Sequence, residues 1–202
     1  MKLISTCVLS LLFGQVSIAL ADDFAELTAQ CDSCHGPQGV SSESDMPSIG
    51  GQSADYIAGS MRDYQLWGRP CIKSTYRRGD TTRPKTDMCK IAGGLSDEDI
   101  EALSAHYSSL PFVAARQEFD PERAAAGAAL HEKHCESCHE QGGKVAGRGP
   151  IIAGQWTLYL KSALKFVPTG EHLVPPMMER TVANFSAEEI DALMNFYASQ
   201  QD

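Results

Sequence analysis

Cys31-Asp32-Ser33-Cys34-His35 and Cys135-Glu136-Ser137-Cys138-His139 are two copies of one Cys-x-x-Cys-His pattern, 104 residues apart. No other feature constrains the chain so tightly, because the spacing has a chemical reason. Two thiols three residues apart can add to the two vinyl groups of a single haem from one turn of backbone, and the histidine that follows reaches the iron. Each copy therefore predicts a covalently attached c-type haem. Cys31 and Cys34 hold the first, Cys135 and Cys138 the second, and His35 and His139 are the proximal ligands. Structural zinc sites separate their cysteine pairs by roughly 12–20 residues, whereas Cys34 and Cys135 stand 101 apart. A thioredoxin-like redox pair would need strands in a βαβ setting, and the sequence offers no alternating β run.

The surroundings of the motifs repeat as well. Pro47, Ile49, Gly51-Gln52 and Tyr56 correspond to Pro150, Ile152, Gly154-Gln155 and Tyr159 at an offset of 103. Met88, Leu95-Ser96, Ile100, Leu103 and Tyr107 correspond to Met178, Phe185-Ser186, Ile190, Leu193 and Tyr197 at an offset of 90. A duplicated unit predicts two tandem domains: residues 22–110, a linker at 111–119 where Pro111 interrupts the helical pattern, and residues 120–202.

Both halves read as all-α. A short helix over Phe24 to Gln30 leads into the first motif, and Asp120-Pro121-Glu122 opens a longer alanine-rich one before the second, with Asp as N-cap and Pro at the first helical position. Amphipathic helices are expected from Ser53 to Trp67 and from Thr157 to Val167. Ser96-Asp97-Glu98-Asp99 and Ser186-Ala187-Glu188-Glu189 each cap a closing helix.

The ligand on the far side of each iron must come from outside the motif. Met46, Met61, Met88 and His106 are candidates in the first half. Met61 and His106 fall inside amphipathic helices, Met46 lies beside the proximal Pro47, and Met88 approaches from a loop on the far side in sequence. In the second half Met177 and Met178 are adjacent, with His172 and His134 as alternatives. The repeat selects Met178, because it precedes Phe185 by seven residues as Met88 precedes Leu95. His/Met ligation raises the reduction potential and fills both axial positions, as electron transfer requires. Pro47 and Pro150, 12 and 11 residues after the proximal histidines, stand where a carbonyl could accept the imidazole Nδ1–H.

Residues 1–21 read as a secretory signal: Lys2, an apolar run from Leu3, then Ala19-Leu20-Ala21 as a cleavage site. An uncleaved anchor is the alternative, against which Gly14, Gln15 and the small-residue site argue. Cleavage after Ala21 would place a 181-residue chain of charge −10 in the periplasm, an oxidising compartment. The whole chain is −9 with a pI near 5.1, a poor match for nucleic acid.

With these motifs in place, the chain resembles two class I cytochrome c domains in tandem. It is similar to diheme cytochromes of the c4 type and to the cytochrome subunit of flavocytochrome c sulfide dehydrogenase. Gly51-Gln52-Ser53 and Leu95 to Ile100 look c4-like. Gln117 to Asp120, Gly127 to Lys133, Ala153 to Thr157 and Phe196 to Gln201 look like the flavocytochrome subunit. The resemblance implies an electron-transfer protein, not an enzyme by itself. It would be either the haem subunit of a sulfide-oxidising flavoprotein or a free-standing shuttle between a membrane-bound redox complex and a terminal oxidase or reductase. A diheme peroxidase, which needs a five-coordinate iron, is disfavoured by the two methionines.

Cys71 and Cys89 are the only thiols left after export and haem attachment. Between Tyr56 and Met88 the offset falls from 103 to 90, a 13-residue insertion; Cys71 lies near it and Cys89 directly follows Met88. They are expected to form a disulfide that restrains Met88, with a metal site as the alternative. The same segment, Arg69 to Lys90, carries seven cations against two acids, a net +5 in an acidic chain. It is either a solvated loop whose cations pair with haem propionates and nearby carboxylates, or a docking patch for an acidic partner.

Overall fold

The structure is a computed structural model that describes residues 14–201. Residues 1–13 of the expected signal, including Cys7, lie outside the described residues, as does Asp202. No helix among the described residues is long and apolar enough to cross a membrane.

The first half comprises α1 (Gly14–His35), α2 (Ala54–Gln65), α3 (Met88–Ala92) and α4 (Asp97–Ser108). The second comprises α5 (Pro121–His134), the single turn α6 (Glu140–Gly143), α7 (Thr157–Lys165), α8 (Pro176–Ala183) and α9 (Ala187–Ser199). No strand forms among the described residues. One isolated bridge joins Ser74 to Thr86, between Cys71 and Cys89.

The expected caps account for the helix starts. The Ser53 hydroxyl accepts from Tyr56 N, and Asp120 accepts from Glu122 N and Arg123 N. Ser96/Asp99 and Ser186/Glu189 both close full capping boxes. Four elements differ from the sequence reading. α1 runs through the whole first motif instead of stopping before it. α2 ends at Gln65, and Trp67 lies beyond it in the left-handed region, at φ 60°. Met88 begins a short helix and does not lie in a loop, and Met178 lies in a short helix that the sequence reading did not foresee. In α3 the Asp87 carboxylate accepts from Lys90 N at 2.9 Å and starts the turn, and in α8 Pro176 occupies the first helical turn, where its missing N–H costs nothing.

Each half closes around its own apolar cluster. Ile57, Met61, Ala92, Ile100, Leu103 and Tyr107 pack in the first, and Leu160, Leu193, Met194 and Tyr197 in the second. Met61 is therefore core. In the second half α5 crosses α9 so closely that a Cβ on Gly127 would meet the Ala192 carbonyl oxygen at 2.1 Å.

The linker does not dangle between the halves. It runs against the Gly-Gln loop of both, with a Cβ on Gly51 reaching Phe112 N at 2.2 Å and one on Gly154 reaching the Ala114 Cβ at 2.6 Å. Both glycines have positive φ, 78° and 70°, so a side chain at either is excluded by space and by backbone. Gly51 N donates to Tyr107 O and Gly154 N to Tyr197 O, both at 2.9 Å, which ties each loop to its half's closing helix.

Candidate haem sites

The two motifs sit at helix ends, where the chain reverses over its own histidine. In each, the acid at the second position organises the turn that follows. Asp32 Oδ2 accepts from Gln38 N at 3.1 Å. Glu136 accepts from Gln141 N at 2.7 Å and Gly142 N at 3.0 Å. Gln38 and Gln141 hold left-handed backbone at φ 57° and 54°, a conformation these hydrogen bonds help to fix. The backbone amides hold the Glu136 carboxyl below the usual carboxylate range.

The histidines are oriented as the spacing predicts. His35 Nδ1 lies 2.9 Å from Pro47 O and His139 Nδ1 lies 3.3 Å from Pro150 O. A carbonyl can only accept, so Nδ1 carries the proton in both rings and Nε2 is left as the nitrogen for a metal. Burial lowers both imidazole pKa values, against the opposing pull of the proline carbonyls, and keeps the rings neutral.

Cys31, Cys34, Cys135 and Cys138 are all free, whereas Cys71 and Cys89 are joined with their Cα atoms 5.5 Å apart. The expected pairing outside the motifs is thus present. Cys71, Cys89 and Asp87 cluster, but the bonded sulfurs offer no thiolates, so the metal alternative has no ligand set. Burial pushes the Cys31 thiol up to about 11 and raises Cys135 also.

Met88, half-buried, is the first residue of α3, next to the buried Cys89. In α8, Met178 is half-buried while Met177 is 63% exposed. His134 is exposed, edge-on to Phe185, and His172 Nδ1 lies 3.1 Å from Ala163 O. His106 packs edge-on against Phe24 and Tyr107.

The sites fit haem on the structure's own observations. Four unpaired motif thiols accompany two imidazoles fixed in the ligating tautomer. Arg77 Nε is a buried donor without a partner. Arg69, only 7% exposed, is a buried cation with no carboxylate partner among the described residues. Buried cations require a counter-charge, and haem propionates are suited to supply it.

Arg69 also corrects the picture of a uniformly exposed basic loop. Its guanidinium lies over the rings of Tyr64 and Tyr56, 5.2 and 5.8 Å from their centroids, and donates to Ser60 Oγ at 2.7 Å. Arg77 pairs with Asp45 at 2.6 Å, and Arg83 stacks on Tyr76. Lys73, Arg78, Lys85 and Lys90 remain exposed.

Sequence reasoning missed His131. It is 2% exposed and contacts Tyr197 Oη at 3.0 Å, Glu136 Oε2 at 2.9 Å and His139 O at 3.0 Å. It thereby links the closing helix to both ends of the second motif. In the first half a direct bond from Tyr107 Oη to Asp32 Oδ1, 2.8 Å, takes that place.

Comparison with known proteins agrees with this geometry. The family model described as cytochrome C oxidase, cbb3-type, subunit III matches residues 122–196. Cytochrome c4 of Thiocapsa roseopersicina is 26% identical over 188 residues, 85% of this chain and 88% of that protein. Cytochrome c-554(548) of Halomonas halodenitrificans is 37% identical over 79 residues, 39% of this chain and 82% of that protein. A thiosulfate dehydrogenase electron acceptor of Stutzerimonas stutzeri (strain A1501) is 26% identical over 182 residues, 84% of this chain and 78% of that protein.

Among solved structures, Acidithiobacillus ferrooxidans cytochrome c4 superposes with a TM-score of 0.69 at 20% identity, covering 85% of this chain and 99% of that one. Thiosulfate dehydrogenase TsdBA of Marichromatium purpuratum gives a TM-score of 0.65 at 27% identity, with 84% of this chain but only 36% of that one covered. The fold and paired sites define a class I cytochrome c in duplicate. The chain belongs to the diheme cytochromes of the c4 type, electron-transfer proteins with two c-type haems.

Proposed function

We propose that this chain is an exported electron carrier that receives electrons from a dehydrogenase oxidising an inorganic sulfur compound. In this reading residues 1–21 are removed in the periplasm, and domains 22–110 and 120–202, joined by 111–119, each hold one haem. Cys31 and Cys34 form thioethers to the first and Cys135 and Cys138 to the second. His35 with Met88 would hold the first iron, and His139 with Met178 the second.

A bound haem iron would cycle between ferric and ferrous. The chain's task would then be to keep these histidines and methionines in place through that cycle, which would leave oxygen or peroxide no ready site on the iron. The observation that carries the reading is the pair of matched sites, His35 anchored on Pro47 and His139 on Pro150, each in a half that also presents a half-buried methionine in a short helix.

Two donors are supported by different observations. The second half's resemblance to the flavocytochrome subunit favours a sulfide-oxidising flavoprotein. A relative spanning 84% of this chain is named as a thiosulfate dehydrogenase electron acceptor, which favours that enzyme. The test is to mix the ferric diheme protein anaerobically with each donor and its substrate and follow haem reduction. A stable flavin-containing complex identifies the first donor, and turnover without complex formation identifies the second. Failure of both to reduce either haem overturns the sulfur-oxidation assignment.

A further inference from the structure

The two Gly-Gln loops meet across the interface between the halves in a crossed arrangement. Ser48 N donates to Gln155 Oε1 at 2.9 Å, and Gln155 Nε2 donates back to Ser48 O at 2.8 Å. In the reciprocal pair, Ile151 N donates to Gln52 Oε1 at 2.8 Å, and Gln52 Nε2 donates to Ile151 O at 2.9 Å. Gln52 and Gln155 are each 3% exposed. They are related by the same 103-residue offset that relates Ser48 to Ile151, so the contact is one interaction made twice about a pseudo-two-fold axis.

The peptide units involved are the ones that hold the histidines. The Pro47–Ser48 peptide accepts the His35 Nδ1–H through its carbonyl and gives its N–H to Gln155. The Pro150–Ile151 peptide accepts the His139 Nδ1–H and gives its N–H to Gln52. A peptide whose N–H is hydrogen-bonded has a more electron-rich carbonyl, because consecutive hydrogen bonds polarise one another. A better acceptor at Nδ1–H gives the imidazole more anionic character, and a more basic ligand favours ferric iron.

We propose that Gln52 and Gln155 are positioning residues that tune the haem of the opposite domain, Gln155 acting on the first haem and Gln52 on the second. The inference rests on His35 and His139 as the iron ligands. The interface thus doubles as an electronic link. Each half sets part of the other's reduction potential through one side chain and one peptide, and a loosened interface raises both.

The test uses the full diheme protein with Gln155→Met and, separately, Gln52→Met. Methionine keeps the length of the side chain and removes its amide. Redox titration is followed through the hyperfine-shifted haem-methyl resonances, assigned to each haem, so that the two potentials are read individually. Gln155→Met is expected to raise the potential of the haem on Cys31 and Cys34 more than that of the other, and Gln52→Met to do the reverse. Either variant alone decides the matter if the other fails to fold.

Equal shifts on both haems, a larger shift on the haem of the mutated domain, or no shift overturns the crossed link. The imidazole Nδ1–H resonances of the unmutated ferric protein test the ligands separately. Their absence overturns the ligand assignment and the link with it, whereas their presence with uncrossed shifts overturns the link alone.

Discussion

Replacing both Cys71 and Cys89 by alanine should detach Met88 from the first haem at a much lower denaturant concentration than in the parent protein. The bond closes a loop with a sequence separation of 18. The loop-entropy relation gives about 3 kcal/mol of stabilisation for a loop of this size. That stabilisation acts locally, since Cys89 directly follows the proposed ligand and is buried, while Cys71 lies near the insertion. A urea dependence of about 1–3 kcal/mol per molar, usual for small domains, converts it into a fall of about 1–3 M in midpoint. The assay is a urea titration of the ferric protein, with the methionine–iron charge-transfer absorption reporting ligation and the Soret band reporting each haem's surroundings. The transition of the second domain should stay in place and act as an internal reference. A midpoint for the first haem within a few tenths of a molar of the parent's would mean that α3 holds Met88 unaided. The entropic argument would then be wrong for this loop.

Met178→Ala should abolish the charge-transfer absorption of one ferric haem while Met177→Ala leaves it, and the reverse result would overturn the ligand choice. His131→Leu removes the partner of Tyr197 Oη and a contact to His139 O. It should cost about 2–4 kcal/mol in the urea transition of the second domain, and a loss below about 1 kcal/mol would show that His131 is replaceable. The depressed Glu136 carboxyl stabilises the fold above its ordinary pKa of 4.5 and loses that contribution as pH falls through its folded value. Glu136→Gln should therefore flatten the acid side of the second domain's stability profile, and an unchanged profile would refute the assignment. Lys85→Glu with Lys90→Glu should slow electron exchange with the physiological donor at low ionic strength and weaken its salt dependence. Wild-type rates at every salt concentration would place the docking face elsewhere.

Much of the site was legible because it is local. Motif spacing, the proline 11 or 12 residues on, and the capping serines are short-range chemistry, and each appears where the sequence put it. The duplication added what one copy could not, a reason to prefer Met178 to Met177 as the candidate ligand. Short-range signals also misled. Met88 reads as a loop residue, yet the Asp87 carboxylate caps a short helix that begins there. Arg69 opens a basic run and reads as a solvated cation, but Tyr56 and Tyr64 enclose it.

What a repeat cannot reveal is how its copies meet. The offset of 103 shows that Gln52 and Gln155 are equivalent, and equivalence would be satisfied equally well by two glutamines each bonded within its own half. Only the pseudo-two-fold packing carries Gln155 to Ser48 and Gln52 to Ile151. A buried amide in each loop also has a physical consequence for how the halves associate. Separating them leaves both glutamines and their backbone partners to be rehydrated, and a shifted docking register would bury them unpaired at about 1–3 kcal/mol for each group. The glutamines therefore select one arrangement of the two domains over its neighbours. In that arrangement the peptide held by each glutamine is the one that orients the opposite histidine. Fixing the interface and fixing the two histidines are, in this molecule, the work of the same few atoms.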